Sequence, residues 1–307
     1  MPLIIPQNLP AYDVLGRENV FVMHRERAVG QDIRPIEILI LNLMPTKTQT
    51  ETQLARLLAN SPLQVNFTLL KTASHDSKNT SQAHLDAFYR TFAQVKKQCF
   101  DGMIITGAPV EHLDFTDVDY WDELKEIMDF SLTNVYSTMH VCWGAQAGLY
   151  YHYGIEKKPL AEKMFGVFEH RVVDPFVPLL RGFDEVFAAP HSRHTDIDAN
   201  AVAKCSDLKV LAKSGEAGIY LLKTDNGRQI FVTGHPEYDL YTLDAEYRRD
   251  LAAGKMIAPP KHYYPDENPE NLPVFRWRSH AHLLYANWLN YYVYQDTPYD
   301  LAELTAV

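Results

Sequence analysis

The chain has 307 residues, a length that suits one large domain or two small ones. Hydrophobic residues make up 46% and charged residues 22%, which is ordinary globular usage and excludes a disordered or fibrous chain. The 39 acidic and 29 basic residues give a net charge of −10, which argues against general electrostatic binding to nucleic acid or to an anionic membrane. Any anionic ligand therefore needs a local basic pocket.

The cysteine count and the start of the chain predict a cytoplasmic protein. Only Cys99, Cys142 and Cys205 occur, and an odd number without close spacing gives neither a disulfide framework nor a paired-cysteine metal site. The start MPLIIPQNLP lacks the basic segment and unbroken apolar run of a signal peptide, and no stretch approaches the roughly 18 apolar residues of a membrane span. We therefore expect a reducing cytosol and no membrane partner.

Residues 1–35, with four prolines and scattered charge, predict an irregular N-terminal arm, and residues 36–307 predict a single α/β domain. From residue 36 onward, segments with the apolar pattern of strands alternate with segments of helical spacing. Strands that alternate with helices predict an open, mostly parallel sheet with helices on both faces. The predicted strands are 36–42, 64–70, 102–106 and 134–141, and the predicted helices are 50–60, 81–97, 119–131 and 144–153.

The second half of the chain is richer in strands and predicts a mixed, hairpin-containing continuation of the same sheet. Two more helices, at about 239–253 and 280–293, close the chain, with a proline-rich loop between them. The predicted strands of this half are 164–172, 184–189, 208–213, 217–222 and 229–234.

Residues just after the strands are the first candidates for a site, because open α/β sheets bind ligands at the carboxyl ends of their strands. One strand runs directly into Cys142, and the small residues Gly144, Ala145, Ala147 and Gly148 open the next helix. This is the layout of a nucleophile elbow, in which the helix N-terminus also favours the thiolate. Taken alone, a buried structural cysteine fits Cys142 equally well.

A second strand end, FVTGHPEYD, places His235 and Glu237 directly after a strand. A cysteine nucleophile needs a base, and the base needs an acceptor that fixes its ring and tautomer. Cys142, His235 and Glu237 together supply these three roles, although HPE by itself also fits an ordinary loop.

The combination of the elbow CWGAQ with a distant HPE resembles the class I glutamine amidotransferase-like proteins, whose fold is flavodoxin-like. More closely, ILNLMPTK (40–47), the elbow and GHPEYD resemble the homoserine O-acyltransferase family of methionine biosynthesis, and the similarity covers nearly the whole chain. Val141 and Trp143 replace the small residues usual beside the cysteine of glutaminases, which disfavours glutamine hydrolysis.

The resemblance implies an acyl-CoA donor, L-homoserine as acceptor and a two-step transfer through Cys142, with His235 as base and Glu237 holding its ring. The backbone N–H of Trp143, immediately after the nucleophile, is the expected donor to the oxyanion of the tetrahedral intermediate. Lys47, at the carboxyl end of the first strand, is a second candidate for stabilising the oxyanion. The alternative interpretation of Lys47 is a solvated surface lysine.

Homoserine is a zwitterion, so its site needs a cation for the carboxylate and an acceptor for the ammonium. Glu246 and Arg249 stand three residues apart on one helix face, near the base, and suit this task. An internal salt bridge between them is the alternative that spacing leaves open. The family resemblance also implies that Lys163 and Ser192 contact the substrate.

A third strand end, ITGAPVEHLDF, carries Glu111. The resemblance implies that this loop borders the acyl pocket, with glycine at the decisive residue in succinyl users and glutamate in acetyl users. A fixed carboxylate would repel the distal carboxylate of a succinyl group and leave room for a methyl group. Acetyl-CoA is therefore the expected co-substrate, with homoserine O-succinyltransferase as the alternative.

Two functions outside acyl transfer remain open, a glutaminase and a non-catalytic binding protein that uses the same pocket. We expect no resident cofactor and no metal, because the HSRH and SHAH pairs lack cysteine partners or an HExxH helix. The histidines of those pairs are expected on the polar surface or in the substrate pocket. The resemblance further implies a homodimer, and no nucleic-acid partner is expected. The histidines in question are His191, His194, His280 and His282.

Overall fold

The computed structural model describes residues 3–18, 22–23, 34–75 and 79–304. Within these ranges, twelve strands form one sheet. The strands are β1 (Leu3–Ile4), β2 (Val22–Met23), β3 (Ile36–Leu41), β4 (Val65–Leu70), β5 (Tyr89–Arg90), β6 (Phe100–Ile105), β7 (Val135–Val141), β8 (Lys157–Val172), β9 (Val186–Ile197), β10 (Leu208–Ser214), β11 (Gly218–Thr224) and β12 (Gln229–Val232).

Helices cover the sheet, and the last long helix continues into a π-helical segment, Trp288–Tyr294. No helix in the described part of the chain is long and apolar enough to cross a bilayer. The α-helices are α1 (Pro10–Arg17), α2 (Lys47–Leu58), α3 (Gln82–Phe88), α4 (Phe92–Val95), α5 (Trp121–Asn134), α6 (Trp143–Tyr153), α7 (Ala199–Lys204), α8 (Thr242–Ala252) and α9 (Arg278–Asn287).

The strand order is β2-β1-β4-β3-β6-β7-β12-β11-β10-β8-β9, with β5 beside β4. All pairs from β2 to β12 are parallel, and all pairs from β12 to β9 are antiparallel. The predicted fold class, an open and mostly parallel sheet with a mixed β-rich continuation, is therefore confirmed. The parallel half aligns the carboxyl ends of β3, β6, β7 and β12 along one edge.

Both faces of the parallel half are buried because side chains alternate along each strand. In β3, Ile38 and Ile40 pack into the core that contains α1, α2 and α9. Leu39 and Leu41 face the opposite core, which contains α5 and the side chain of Trp143. The apolar residues 38–41 of this strand are thus buried on two sides of the sheet.

The prediction of an irregular N-terminal arm is wrong over the residues described in it. Leu3–Ile4 pairs in parallel with Val65 and Asn66 of β4, and α1 buries Ala11 and Leu15. Pro10 stands in the first turn of α1, where a missing N–H costs nothing, so the proline that suggested irregularity begins a helix. Residues 1–2, 19–21 and 24–33 of the arm lie outside the described ranges.

The prediction of one helix over 81–97 is also wrong, because two helices, α3 and α4, flank strand β5. The break occurs at Tyr89, whose backbone pairs with Leu69 and whose hydroxyl donates to the buried carboxylate of Glu51 at 2.6 Å. Helical spacing of the apolar residues does not reveal this break, since the partners of Tyr89 lie on other elements.

Candidate active site

Cys142 occupies a sharp turn between β7 and α6, as the elbow pattern predicts. Its backbone has φ 51° and ψ −117°, in the left-handed half of φ that residues other than glycine rarely adopt. The Cys142 N–H donates to the carbonyl of Val232 at 2.7 Å, which ties the turn to β12. Glycine is required at residue 144, two residues after Cys142, because a Cβ there would lie 2.6 Å from the carbonyl oxygen of Thr106.

His235 and Glu237 follow β12 and lie beside the cysteine. The Nδ1 atom of His235 is 2.7 Å from Oε1 of Glu237, and both side chains are buried. The Cys142 thiol lies close enough to the His235 ring to act on its charge state. Since Nδ1 faces the carboxylate, Nε2 is the ring nitrogen available to the thiol. The structure thus brings together the three residues predicted from two separate strand ends.

The charge state of His235 follows from its neighbours. Burial disfavours the imidazolium, but the Cys142 thiolate and the Glu237 carboxylate outweigh it and raise the pKa of His235 well above its ordinary value of 6.5. A raised pKa favours proton transfer from the thiol to the ring, which yields a thiolate–imidazolium pair. The arrangement therefore produces a nucleophile at neutral pH.

Cys142 and His235 open into a cavity of about 400 Å³. Six further residues that the sequence singled out line the same cavity, and all of them lie outside β7 and α6, the elements that hold Cys142. Glu237 lies behind His235, and Trp143 packs its side chain against Phe115 and Tyr120 while its backbone N–H begins α6. The six residues are Glu111, Lys163, Ser192, His194, Glu246 and Arg249.

Glu246 is the centre of a polar cluster on the wall opposite the elbow. Its Oε2 atom accepts a hydrogen bond from the Ser192 hydroxyl at 2.5 Å and lies 3.5 Å from the Lys163 ammonium. Its Oε1 atom accepts a hydrogen bond from the Tyr238 hydroxyl at 2.8 Å. The sequence pattern gave no reason to place Lys163 and Ser192 beside Glu246, because strands β8 and β9 bring them there.

Arg249 does not form the internal salt bridge with Glu246 that the spacing left open. Its guanidinium pairs with Asp250 at 3.1 Å, and its side chain is 64% exposed. Asp250 also pairs with Lys255 at 3.1 Å and lies 3.9 Å from Lys163. The cations on this wall are therefore already matched by carboxylates, and Arg249 lies at the rim of the cavity.

Lys47 is not the solvated surface lysine that the alternative describes. Its side chain is buried, and the ammonium donates to the backbone carbonyl of Asn42 at 2.5 Å. Burial lowers the pKa of Lys47 from 10.5 to about 8. The residue lines a neighbouring cavity of about 240 Å³ rather than the one that contains Cys142.

Glu111 lines the cavity that contains Cys142 and also an adjoining one of about 510 Å³. Its backbone carbonyl accepts a hydrogen bond from the Lys157 ammonium at 2.8 Å, which fixes the loop after β6. His112 and His194 lie next to it with ring centroids 4.4 Å apart. His194 also lines the cavity that contains Cys142, and its place in a substrate pocket stays a prediction.

His191 is neither on the surface nor in the substrate pocket, and this prediction is wrong. It is fully buried, and its Nε2 atom lies 3.0 Å from Nε2 of His170. Alternation along β9 turns His191 and Arg193 inward. Among the described residues, no group of three histidine, cysteine or acidic side chains is arranged to hold a metal ion.

Three residues that the sequence patterns did not single out lie against the site. A Cβ at Gly107 would be 3.1 Å from Cβ of Cys142, so only glycine leaves this space clear. Tyr238 stacks on the His235 ring with centroids 4.1 Å apart. The buried guanidinium of Arg193 interacts electrostatically with Cys142. Gly107 follows a predicted strand end, and this was the one signal that could have found it.

Comparison with known proteins agrees with the fold and with the predicted family. A family model described as homoserine O-succinyltransferase matches residues 2–299. The homoserine O-acetyltransferase of Acetivibrio thermocellus is 59% identical over 304 residues, which cover 99% of this chain and 100% of that protein. The homoserine O-acetyltransferase of Bacillus cytotoxicus is 61% identical over 301 residues, covering 98% and 100%.

Solved structures of low sequence identity share the architecture. A glutamine amidotransferase of Thermotoga maritima has a TM-score of 0.54 at 10% identity and covers 84% of this chain and 98% of its own. A glutamine amidotransferase of Methylobacillus flagellatus has a TM-score of 0.51 at 12% identity and covers 84% of this chain and 95% of its own. These likenesses confirm the predicted α/β fold of the class I glutamine amidotransferase type.

Proposed function

The chain belongs to the homoserine O-succinyltransferase family, and we propose that it transfers the acetyl group of acetyl-CoA to the hydroxyl of L-homoserine in methionine biosynthesis. One observation carries the proposal: the Cys142–His235 pair shares its cavity with a polar cluster built from Lys163, Ser192 and Glu246. A nucleophile and a site for a zwitterion thus face the same space.

In the first half-reaction, the Cys142 thiolate attacks the thioester carbonyl of the donor, and a bond forms between its sulfur and the acetyl carbon. The tetrahedral intermediate then breaks the bond to the CoA sulfur. The His235 imidazolium gives its proton to this leaving thiolate and becomes neutral. The raised pKa of His235 supports this role, because the ring is then already protonated beside the sulfur before the donor binds.

In the second half-reaction, Nε2 of neutral His235 takes the hydroxyl proton of homoserine while the hydroxyl oxygen attacks the acetyl carbon. The Cys142 sulfur leaves as a thiolate next to the newly formed imidazolium, which restores the starting pair. Glu237 keeps Nε2 directed at the substrate by its contact with Nδ1, 2.7 Å long. Every proton transfer in the cycle thus passes through one ring.

The oxyanion of each tetrahedral intermediate is assigned to the backbone N–H of Trp143. This amide is the first of α6 and stands immediately after the nucleophile, where the helix N-terminus adds favourable electrostatics. Lys47 is not assigned this role, since its ammonium points at the carbonyl of Asn42.

We assign binding of the homoserine ammonium to Glu246. We assign binding of the homoserine carboxylate to Arg249 at the rim, with Lys163 nearby. Ser192 and Tyr238 donate to Glu246 and hold its carboxylate in place. Tyr238 also stacks on His235, so the same side chain links the acceptor site to the base. This coupling supports binding of homoserine with its hydroxyl facing Nε2.

The family description names succinyl transfer, whereas the relatives described above are named for acetyl transfer. Glu111 supports acetyl, because it lines the cavity that contains Cys142, where a carboxylate would repel the distal carboxylate of a succinyl group. Turnover of equal concentrations of acetyl-CoA and succinyl-CoA with homoserine separates the two. Faster turnover of succinyl-CoA would overturn the acetyl assignment.

Rapid-quench mass spectrometry tests the mechanism directly. Mixing with acetyl-CoA in the absence of homoserine should add one acetyl group to the Cys142 peptide, and homoserine should then remove it as O-acetylhomoserine. C142A should show no added mass, while the matched control C205A should behave as the native chain. No mass gain at Cys142 would refute the covalent route. Ammonia release from glutamine would instead indicate a glutaminase.

We also propose a cytoplasmic homodimer with no resident cofactor, in which acetyl-CoA acts only as co-substrate. The support is the family resemblance for the dimer and the cysteine usage for the compartment. Sedimentation equilibrium at micromolar protein concentration tests the dimer. The activity of protein that has been treated with a chelator and dialysed tests the absence of a resident cofactor. A monomeric mass or an activity restored only by an added metal or cofactor would contradict them.

A further inference from the structure

The cavity that contains Lys47 adjoins the catalytic one. It has a volume of about 240 Å³ and shares Met44, Pro45 and Pro109 with the cavity that contains Cys142. These shared residues come from the loops after β3 and β6, on the β4 side of the nucleophile. A ligand chain can therefore run from the Cys142 sulfur over the ends of β3 and β6 into the second cavity.

The wall of this second cavity mixes two kinds of contact. Apolar side chains from three different segments, Leu43, Leu85 and Val110, line it together with the polar side chains of Thr72 and Gln82. The volume is below the roughly 300–1,000 Å³ of pockets that enclose whole drug-sized ligands, so it suits an extended chain rather than a bulky ring system. A chain with both methylene and amide groups matches such a lining.

Two lysines stand close together at this cavity, and one of them has no side-chain partner among the residues that the structure describes. Lys47 is buried and donates to the carbonyl of Asn42, whereas the Lys71 ammonium forms no hydrogen bond or ion pair with any residue that the structure describes. Both the negative charge of Glu51 and, more weakly, the positive charge of Lys71 act on Lys47, so the three groups are close and Lys47 already has a carboxylate near it. The charge left without a described counter-ion is that of Lys71, and a cation beside a second cation favours the binding of an anion.

The cations on the other side of Cys142 are matched by carboxylates of this chain, and the proposed function already assigns two of them to the homoserine carboxylate. Lys163, Arg249 and Lys255 are all within ion-pair distance of Asp250, and Lys163 also approaches Glu246. The chain has a net charge of −10, yet no carboxylate among the described residues pairs with the Lys71 ammonium. The two sides of the nucleophile are thus electrostatically different, one matched and one with surplus positive charge.

We propose that the cavity of Leu43, Lys47, Lys71, Thr72, Gln82 and Val110 binds the arm of the acyl-CoA donor, with Lys71 contacting its phosphate oxygens. This inference rests on the proposed function and adds the donor subsite to it. The donor enters from the β4 side, and homoserine enters from the Glu246 side. Each substrate therefore reaches the Cys142 sulfur without crossing the site of the other.

Calorimetric titration with CoA tests the assignment. K71A should raise the Kd for CoA by about tenfold or more, as expected for the loss of one charge-assisted hydrogen bond. K71R should restore most of the affinity, and Q82E, which adds a negative charge at constant size, should also weaken CoA. The control K125A removes an exposed lysine that pairs with Asp122 outside both cavities and should leave the Kd unchanged.

A truncated donor separates phosphate binding from a structural effect. K71A should acylate Cys142 from S-acetyl-N-acetylcysteamine, which has no phosphate, at the native rate, and its KM for homoserine should be unchanged. An unaltered Kd for CoA in K71A, or an equal loss with both donors, would overturn the subsite. If CoA binds through Lys71 but no acetyl group reaches homoserine, the proposed function fails while the subsite stands. If the native chain does not bind CoA, both fail.

Discussion

Gly107→Ala probes the space around the nucleophile. The added methyl carbon would lie 3.1 Å from Cβ of Cys142, 3.6 Å from its sulfur and 3.5 Å from Cε1 of His235. The shortest of these contacts is about 0.4–0.9 Å inside the optimal carbon–carbon separation of 3.5–4.0 Å. Cys142 is held by its bond to Val232 and by its strained φ, so the displacement falls on the reacting groups.

A misplacement of about 1 Å in an active site costs about 10²-fold in rate, so we expect G107A to lose roughly 10- to 100-fold in kcat/KM. Stopped-flow acylation by acetyl-CoA measures the affected step, and denaturant unfolding checks that the fold is intact. Gly16 is the matched control, because a Cβ there meets nothing within 4 Å. G16A should keep full activity and gain about 0.5–1 kcal/mol in stability, as for glycine in a helix. Acylation by G107A within twofold of the native rate would refute the steric argument.

The remaining predictions concern three charged side chains. E111G should raise the ratio of succinyl-CoA to acetyl-CoA turnover by about 10²-fold or more, because it removes a negative charge whose repulsion of the succinyl carboxylate costs several kcal/mol. An unchanged ratio in competition assays would exclude Glu111 from acyl selection. E237Q should lower the pKa of His235 and so reduce the thiolate population, which predicts slower alkylation of Cys142 by iodoacetamide at pH 7, a midpoint at higher pH and a fall in kcat of about 10³–10⁴-fold; an unaltered alkylation profile would contradict this. For Lys47, burial lowers the pKa from 10.5 to about 8, so the unfolded chain binds more protons between these two pH values and stability gains as pH rises through them. Relative to K47M, which cannot titrate, the native chain should therefore gain up to about 3 kcal/mol in unfolding free energy between pH 7 and pH 10.5. If the unfolding free energies of both proteins change in parallel with pH across that range, the buried charged amine is contradicted.

The catalytic trio was predictable because each member follows a strand directly. Parallel strands of one sheet bring their carboxyl ends to the same edge, so a cysteine after β7 and a histidine after its neighbour β12 must meet. The same rule placed Glu111, after β6, near them. Local sequence and one topological rule were sufficient for these residues.

Other parts of the site depend on pairings between distant segments. Lys163 and Ser192 reach Glu246 because β8 and β9 form a long antiparallel pair beyond the parallel half, and no local pattern encodes that register. Arg249 pairs with its neighbour Asp250 rather than with Glu246, although helical spacing allows either. Spacing restricts possible partners, and packing selects among them.

The sequence by itself determined the periodicity of the strands and helices, the order in which they alternate and the chemical groups at the strand ends. These properties depend on neighbours within a few residues, where backbone sterics and side-chain alternation act directly. The tertiary structure alone decided that Lys47 is buried beside a second lysine, that His191 faces the core and that the proline-rich start contributes a strand and a helix. Burial, pKa and ion pairing depend on the groups that surround a side chain in space, and those groups come from distant segments of the chain.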